Sequence, residues 1–130
     1  MMKRLLLFLM TVLLLTGCTV RPSAGTYRQI TAQEAAELME SETGYIVLDV
    51  RTPAEYAERH IPGAINVPNE TIGNTAPEQL PDRKQLILVY CRSGNRSKQA
   101  ADKLAALGYT NIVEFGGINS WQGETVSGDE

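Results

Sequence analysis

Two short apolar runs constrain this chain more than anything else in it. Tyr45-Ile46-Val47-Leu48-Asp49-Val50 is broken only by one aspartate, and Leu86-Ile87-Leu88-Val89-Tyr90 is unbroken. Neither run alternates with polar residues, so neither can form a strand with one face in water. Each suits a strand covered on both faces, as the strands of parallel sheets are. Parallel neighbours cannot be joined by a tight hairpin, so helical crossovers must lie between them.

The helix signals stand where such crossovers need them. Thr31-Ala32-Gln33-Glu34 has the form of a capping box, with Ala35, Leu38 and Met39 on one face, which predicts a helix over residues 32–41. Pro53 opens a short helix expected over 54–59. Ile61-Pro62-Gly63 reads as a turn, residues 64–67 as a short strand closed by Pro68, and 71–80 as either a weak helix or a loop. Ala100, Ala101, Leu104 and Leu107 form an apolar stripe that predicts a helix over 97–107, with Gly108 placed to end it. Residues 111–115 read as a third strand, Gly116-Gly117 as a turn into a short helix ending near Trp121, and 123–130 as a polar, frayed tail. Strands alternating with helices give an α/β class with a mainly parallel central sheet. At 130 residues the chain makes one domain.

The first residues read differently. Lys3 and Arg4 precede an apolar stretch from Leu5 to Leu15, the layout of a secretory signal and too short for a spanning helix. Leu15-Thr16-Gly17-Cys18 resembles the lipobox of bacterial lipoproteins. That resemblance implies a signal peptide over 1–17, cleavage before Cys18, and a diacylglyceryl group on Cys18, with palmitate among the expected lipids. The expected location is extracytoplasmic, anchored to a bacterial membrane through lipid on Cys18. Residues 18–27, with Pro22 and Gly25, form the expected tether; 28–122 form the folded domain.

Charge and cysteine count narrow the function. With 12 basic and 15 acidic residues the formal net charge is -3, which gives no electrostatic reason to bind nucleic acid. Cys18 and Cys91 are the two cysteines, so acylation of the first leaves Cys91 the lone thiol, with no structural disulfide possible. One histidine and one thiol cannot build a structural zinc site; no metal and no cofactor is expected.

Cys91 ends the second apolar run, and catalytic groups of open α/β sheets lie at strand carboxyl ends. It opens the segment Cys91-Arg92-Ser93-Gly94-Asn95-Arg96-Ser97. Arg92 and Arg96 bring positive charge, Gly94 lets successive amides converge, Ser93 and Ser97 add hydroxyls, and a helix begins behind them. Each favours thiolate over thiol, and together they suit an anionic substrate.

Several segments in order resemble the rhodanese family of sulfurtransferases, over residues 27–121. Leu48-Asp49-Val50-Arg51, with Glu55-Tyr56 and His60-Ile61-Pro62-Gly63-Ala64-Ile65-Asn66, resembles one motif; residues 91–97 resemble the active-site loop; Gly116-Gly117-Ile118 with Trp121 resembles the closing motif. The resemblance implies a rhodanese-like three-layer fold, with helices on both sides of the sheet. It also implies that Cys91 takes sulfur from a donor such as thiosulfate, becomes a persulfide, and passes the sulfur to a thiol or cyanide. The amides of Arg92, Ser93, Gly94, Asn95, Arg96 and Ser97 are expected to cradle that sulfur, and Arg92 and Arg96 to recognise the anion. Asp49 and Arg51 are expected to support the loop through hydrogen bonds, His60 to order a turn, and Trp121 to pack beneath the two glycines. Phosphatase relatives use the longer Cys-x5-Arg loop, whereas Arg96 gives Cys-x4-Arg here. The rival reading is a persulfide carrier or sulfur-binding module without turnover.

Overall fold

The computed structural model describes residues 26–128. The signal segment over 1–17, Cys18 and the tether as far as residue 25 lie outside the described residues.

Five strands are described: β1 (Arg28–Gln29), β2 (Ile46–Asp49), β3 (Ile65–Asn66), β4 (Ile87–Cys91) and β5 (Ile112–Gly117). They form one sheet in the order β1-β5-β4-β2-β3, every pairing parallel. Helices α1 (Ala32–Ser41), α2 (Pro53–Glu58) and α3 (Asn95–Ala106) supply crossovers. The two apolar runs are β2 and β4, side by side at the centre.

Successive side chains on a strand point to opposite faces, and here each face has its own core. Leu48, Val50, Ile87, Val89, Cys91 and Ile112 pack with Ala100, Ala101 and Leu104 of α3. Val47, Leu88, Tyr90, Val113 and Phe115 pack with Ala32 and Ala35 of α1, and Tyr56 of α2 leans on the same cluster. Parity along β4 therefore assigns Cys91 to the α3 face and Tyr90 to the other.

The helices start as the sequence predicts or slightly earlier. Thr31 and Thr52 each complete a capping box, with Glu34 and Glu55 respectively. Helix α3 begins at Asn95, two residues before the predicted start, because Gly94 adopts φ 113° at the N-cap and turns the chain into the helix. Residues 71–80 form no helix: a 3-10 turn covers Asn69–Thr71, and the chain beyond is irregular, with Ile72 and Leu80 as buried anchors. Strand β5 continues through both glycines expected to form a turn.

The C-terminal tail is not frayed as far as Gly128. Val126 and His60 exchange backbone hydrogen bonds of 2.9 Å, the Gly128 amide donates to Ala57 O at 2.8 Å, and the Ser127 hydroxyl to Glu58 O at 3.1 Å. The last carbonyls of a helix lack partners within it, and this segment satisfies two of those of α2.

Candidate active site

Cys91 is the last residue of β4, and the chain then folds back over it. Its exposure is 1%, so the sulfur is covered rather than presented at an open strand end. Residues Arg92 to Gly94 and the first turn of α3 form the cover. A close approach fixes it. Between Val89 and Cys91 the ladder with β5 slips: Val89 faces Glu114 but Cys91 faces Gly117, an extra residue in β5. The slip brings Gly117 so near the loop that a Cβ there would lie 2.0 Å from Arg92 O. Asn119 N–H donates to the same carbonyl at 3.2 Å.

Two polar groups meet the sulfur. The Gly94 amide donates to Sγ at 3.0 Å, and Sγ donates to Ser97 Oγ at 3.4 Å. Of the loop amides expected to cradle sulfur, Gly94 is the one that contacts Sγ directly. The amides of the first turn of α3 receive no side-chain cap, unlike those of α1 and α2, because the N-cap is glycine. The positive end of the helix thus opens toward the sulfur.

Ser97 is buried and crowded by acceptors: Glu114 Oε1 at 2.6 Å, Gly94 O at 2.9 Å and Gly116 O at 3.2 Å. A hydroxyl has one proton, and the shortest, charge-assisted contact claims it. Glu114 is only 2% exposed and accepts also from the Gly116 amide at 2.8 Å. Sequence reasoning missed this carboxylate. Its signal was a lone acid inside Ile112-Val113-Glu114-Phe115, on the face shared with Cys91.

The two arginines do not share one role. Arg92 is exposed. It borders a cleft of about 340 Å3 together with Arg51, Glu55, Glu58, Arg59, Ile118 and Asn119; Cys91 does not line it. Arg96 is already engaged as a fork on Glu55, at 2.7 and 2.9 Å. It was expected to recognise the anion, and the capping glutamate of α2 takes one hydrogen bond from each of its terminal nitrogens. Its charge still stands near the sulfur, and its proton is held more tightly, first through Glu55 and also through Cys91. Arg96 lowers Glu55 to about 2, with the Thr52 hydrogen bonds adding to the effect.

Asp49 and Arg51 require correction too. Their hydrogen bonds do not reach residues 92–97. Arg51 binds Asp49 through its amide and guanidinium, the closest contact being 2.6 Å, and binds Arg59 O. Burial disfavours the Arg51 cation, but Asp49 outweighs this and keeps it charged. Asp49 also accepts from the Tyr90 hydroxyl at 2.7 Å, and that oxygen accepts from the Ile61 amide. Burial first, and Asp49 next, push the Tyr90 phenol far above its ordinary range, so it acts as a neutral donor. The physical reason is parity: Asp49 pairs with Tyr90, on the face opposite Cys91. The pair braces the strand one residue before the cysteine. His60 is buried, stacked on Tyr56 with ring centroids 3.8 Å apart. Trp121 is half-buried against Phe115, and its indole N–H donates to Glu124 O.

A parallel α/β sheet with a cysteine beneath a helix-entry loop at a strand end defines a class of thiol-bearing domain. Within that class, the rhodanese-like domain model matches residues 31–124, and the chain belongs to that family. It is similar to the thiosulfate sulfurtransferase PspE of Escherichia coli, 37% identical over 71 residues, covering 55% of this chain and 68% of that protein. It is 34% identical over 94 residues to a sulfurtransferase of Allochromatium vinosum, covering 72% of this chain and 86% of the relative. The solved structure of a rhodanese-related protein from Thermoplasma volcanium superposes with a TM-score of 0.65 at 33% identity, covering 77% of this chain and 98% of that one. The fold is thus rhodanese-like, and relatives of the chain include proteins named as sulfurtransferases.

Two predictions follow from this geometry. Gly117→Ala forces Cβ into Arg92 O, and is expected to cost about 1–3 kcal/mol in urea unfolding. The altered cover should also change the alkylation rate of Cys91; unchanged stability would refute the close approach. For Glu55, the folded value near 2 lies below the reference of 4.5, so the unfolded chain takes up its proton first as pH falls. The stabilisation is therefore complete above about pH 5 and lost on descent toward pH 2. Wild type should exceed Glu55→Gln by roughly 0.2–1 kcal/mol at neutral pH, the gap closing across that window.

Proposed function

We propose that the protein is a sulfurtransferase in which the Cys91 thiolate attacks the outer sulfur of an anionic donor such as thiosulfate. Sulfite would leave with the bonding pair, and Cys91 would carry the persulfide. An acceptor thiolate, or cyanide, would then attack the outer sulfur and return Cys91 to thiolate. Two displacements through one covalent intermediate give ping-pong kinetics.

The observation that carries this reading is the Gly94 amide aimed at Sγ, at the uncapped entry of α3. Fixed amides stabilise a charge developing on sulfur without having to reorganise. Arg92 and Arg59 would meet the donor in the adjoining cleft, and Arg96, held by Glu55, would supply background positive charge. The name of PspE supports thiosulfate as donor.

A second reading is favoured by the burial of Cys91: a persulfide carrier that turns over free thiosulfate slowly and exchanges sulfur with a partner thiol. Thiosulfate:cyanide transfer and intact-mass spectrometry distinguish the two. The enzyme is expected to turn over and to gain one sulfur atom, both effects vanishing in Cys91→Ser. A persulfide without turnover identifies the carrier; neither effect rejects both.

We also propose that lipid on Cys18 anchors the domain outside the cell membrane, a reading supported by the residue pattern of positions 3–18. Two or more acyl chains give durable attachment where one gives marginal binding. Cys18→Ala should abolish lipid labelling and alter membrane retention; unaltered retention points to an uncleaved anchor.

A further inference from the structure

We infer that Glu114 controls the protonation of Cys91 through Ser97, as the end of a two-proton relay. The inference deepens the sulfurtransferase reading and rests on Cys91 being its nucleophile. The atoms form one chain: Cys91 Sγ to Ser97 Oγ at 3.4 Å, and Ser97 Oγ to Glu114 Oε1 at 2.6 Å. All three residues are buried, at 1%, 0% and 2% exposure. A thiol buried with no base in reach would have to send its proton through the loop to water. Here the Cys91 S–H bond breaks as its proton bonds to Ser97 Oγ, while the original Ser97 proton bonds to Glu114. The result is a thiolate, a serine hydroxyl now donating to it, and a neutral carboxylic acid. No proton leaves the site, and the negative charge moves from Glu114 to Cys91. Sγ then accepts from both Ser97 and the Gly94 amide. Glu114 acts through Ser97 and is a positioning residue, not one that touches the donor.

The surrounding charges offer no competing base with such a bond. From α3, Arg96 faces the sulfur, tied to Glu55 of α2, and Glu70 acts on that arginine from a distance. Ahead of β1, the Tyr27 phenol is held above its ordinary range by burial first, then by Asp102 and Glu114. Arg92 is exposed, as are Glu34 and Glu37 of α1, and Asp49 with Tyr90 lies on the opposite face. A plain carboxylate near a thiolate would repel it, so a relay and a bystander predict opposite signs.

The test is the pH–rate profile for alkylation of Cys91 by iodoacetamide, which needs no sulfur donor. A failure of thiosulfate transfer therefore leaves it interpretable, and the reverse holds as well. The relay predicts that Glu114→Gln slows alkylation at neutral pH by about 100-fold, the lower end of what a general base contributes, and moves the profile to higher pH. Ser97→Ala should slow it similarly, and the double variant should be no slower than either single one. Faster or unchanged alkylation in either folded variant overturns the relay. Circular dichroism establishes folding; should both variants unfold, the wild type decides. Internal proton transfer predicts a rate level across neutral pH, and a rate that climbs tenfold with each pH unit overturns it.

Discussion

A strand buried on both faces must divide its side chains between two cores, and the site depends on how β4 does so. Ile87, Val89 and Cys91 go to α3; Leu88 and Tyr90 go to α1. That division puts the sulfur under the entry of α3, where the amides lack a side-chain cap and the helix dipole is positive. It sends the Asp49–Arg51–Tyr90 network to the opposite face. The network fixes the strand and the turn at Ile61, and the sulfur is positioned from the other side. A shift of one residue in register would exchange the two.

The loop over Cys91 is held by backbone proximity more than by side chains. Gly117 has no side chain because Arg92 O occupies the space where a Cβ would be. Gly94 turns the chain at positive φ into α3 and delivers its amide to the sulfur. Beneath, Ser97 and Glu114 tie the helix to β5 and to the Gly116 amide. The same contacts that close the loop also give the thiol one donor, the Gly94 amide, and one acceptor, Ser97 Oγ, so structural and chemical roles share atoms. Burial strengthens each of these interactions by excluding water. It also leaves Cys91 only 1% exposed.

Charge around the site is assigned in pairs. Arg96 belongs to Glu55 and Arg51 to Asp49, while Arg92 and Arg59 edge the cleft. The paired cations are held by carboxylates; under the proposed function, the cleft cations would meet an incoming anion. Glu55 joins the two roles, capping α2 through Thr52 and holding Arg96 beside the sulfur.

Much of this was legible in the residues. Nearly continuous apolar runs pointed to central strands covered on both faces, as the strands of parallel sheets are. Thr31-x-x-Glu34 announced a helix start through local hydrogen bonding and Pro53 another through its fixed φ, and the end of β4 marked Cys91. These features are local, and local chemistry is written in sequence order. What lay 17 residues away was not: Glu114 joins Ser97 only because β5 packs beside β4 and beneath α3. The fork between Arg96 and Glu55, 41 residues apart, and the docking of Val126 on His60 depend likewise on tertiary packing. A spacing pattern can place a charge near a thiol, but only the folded chain decides which groups have already taken each other's hydrogen bonds.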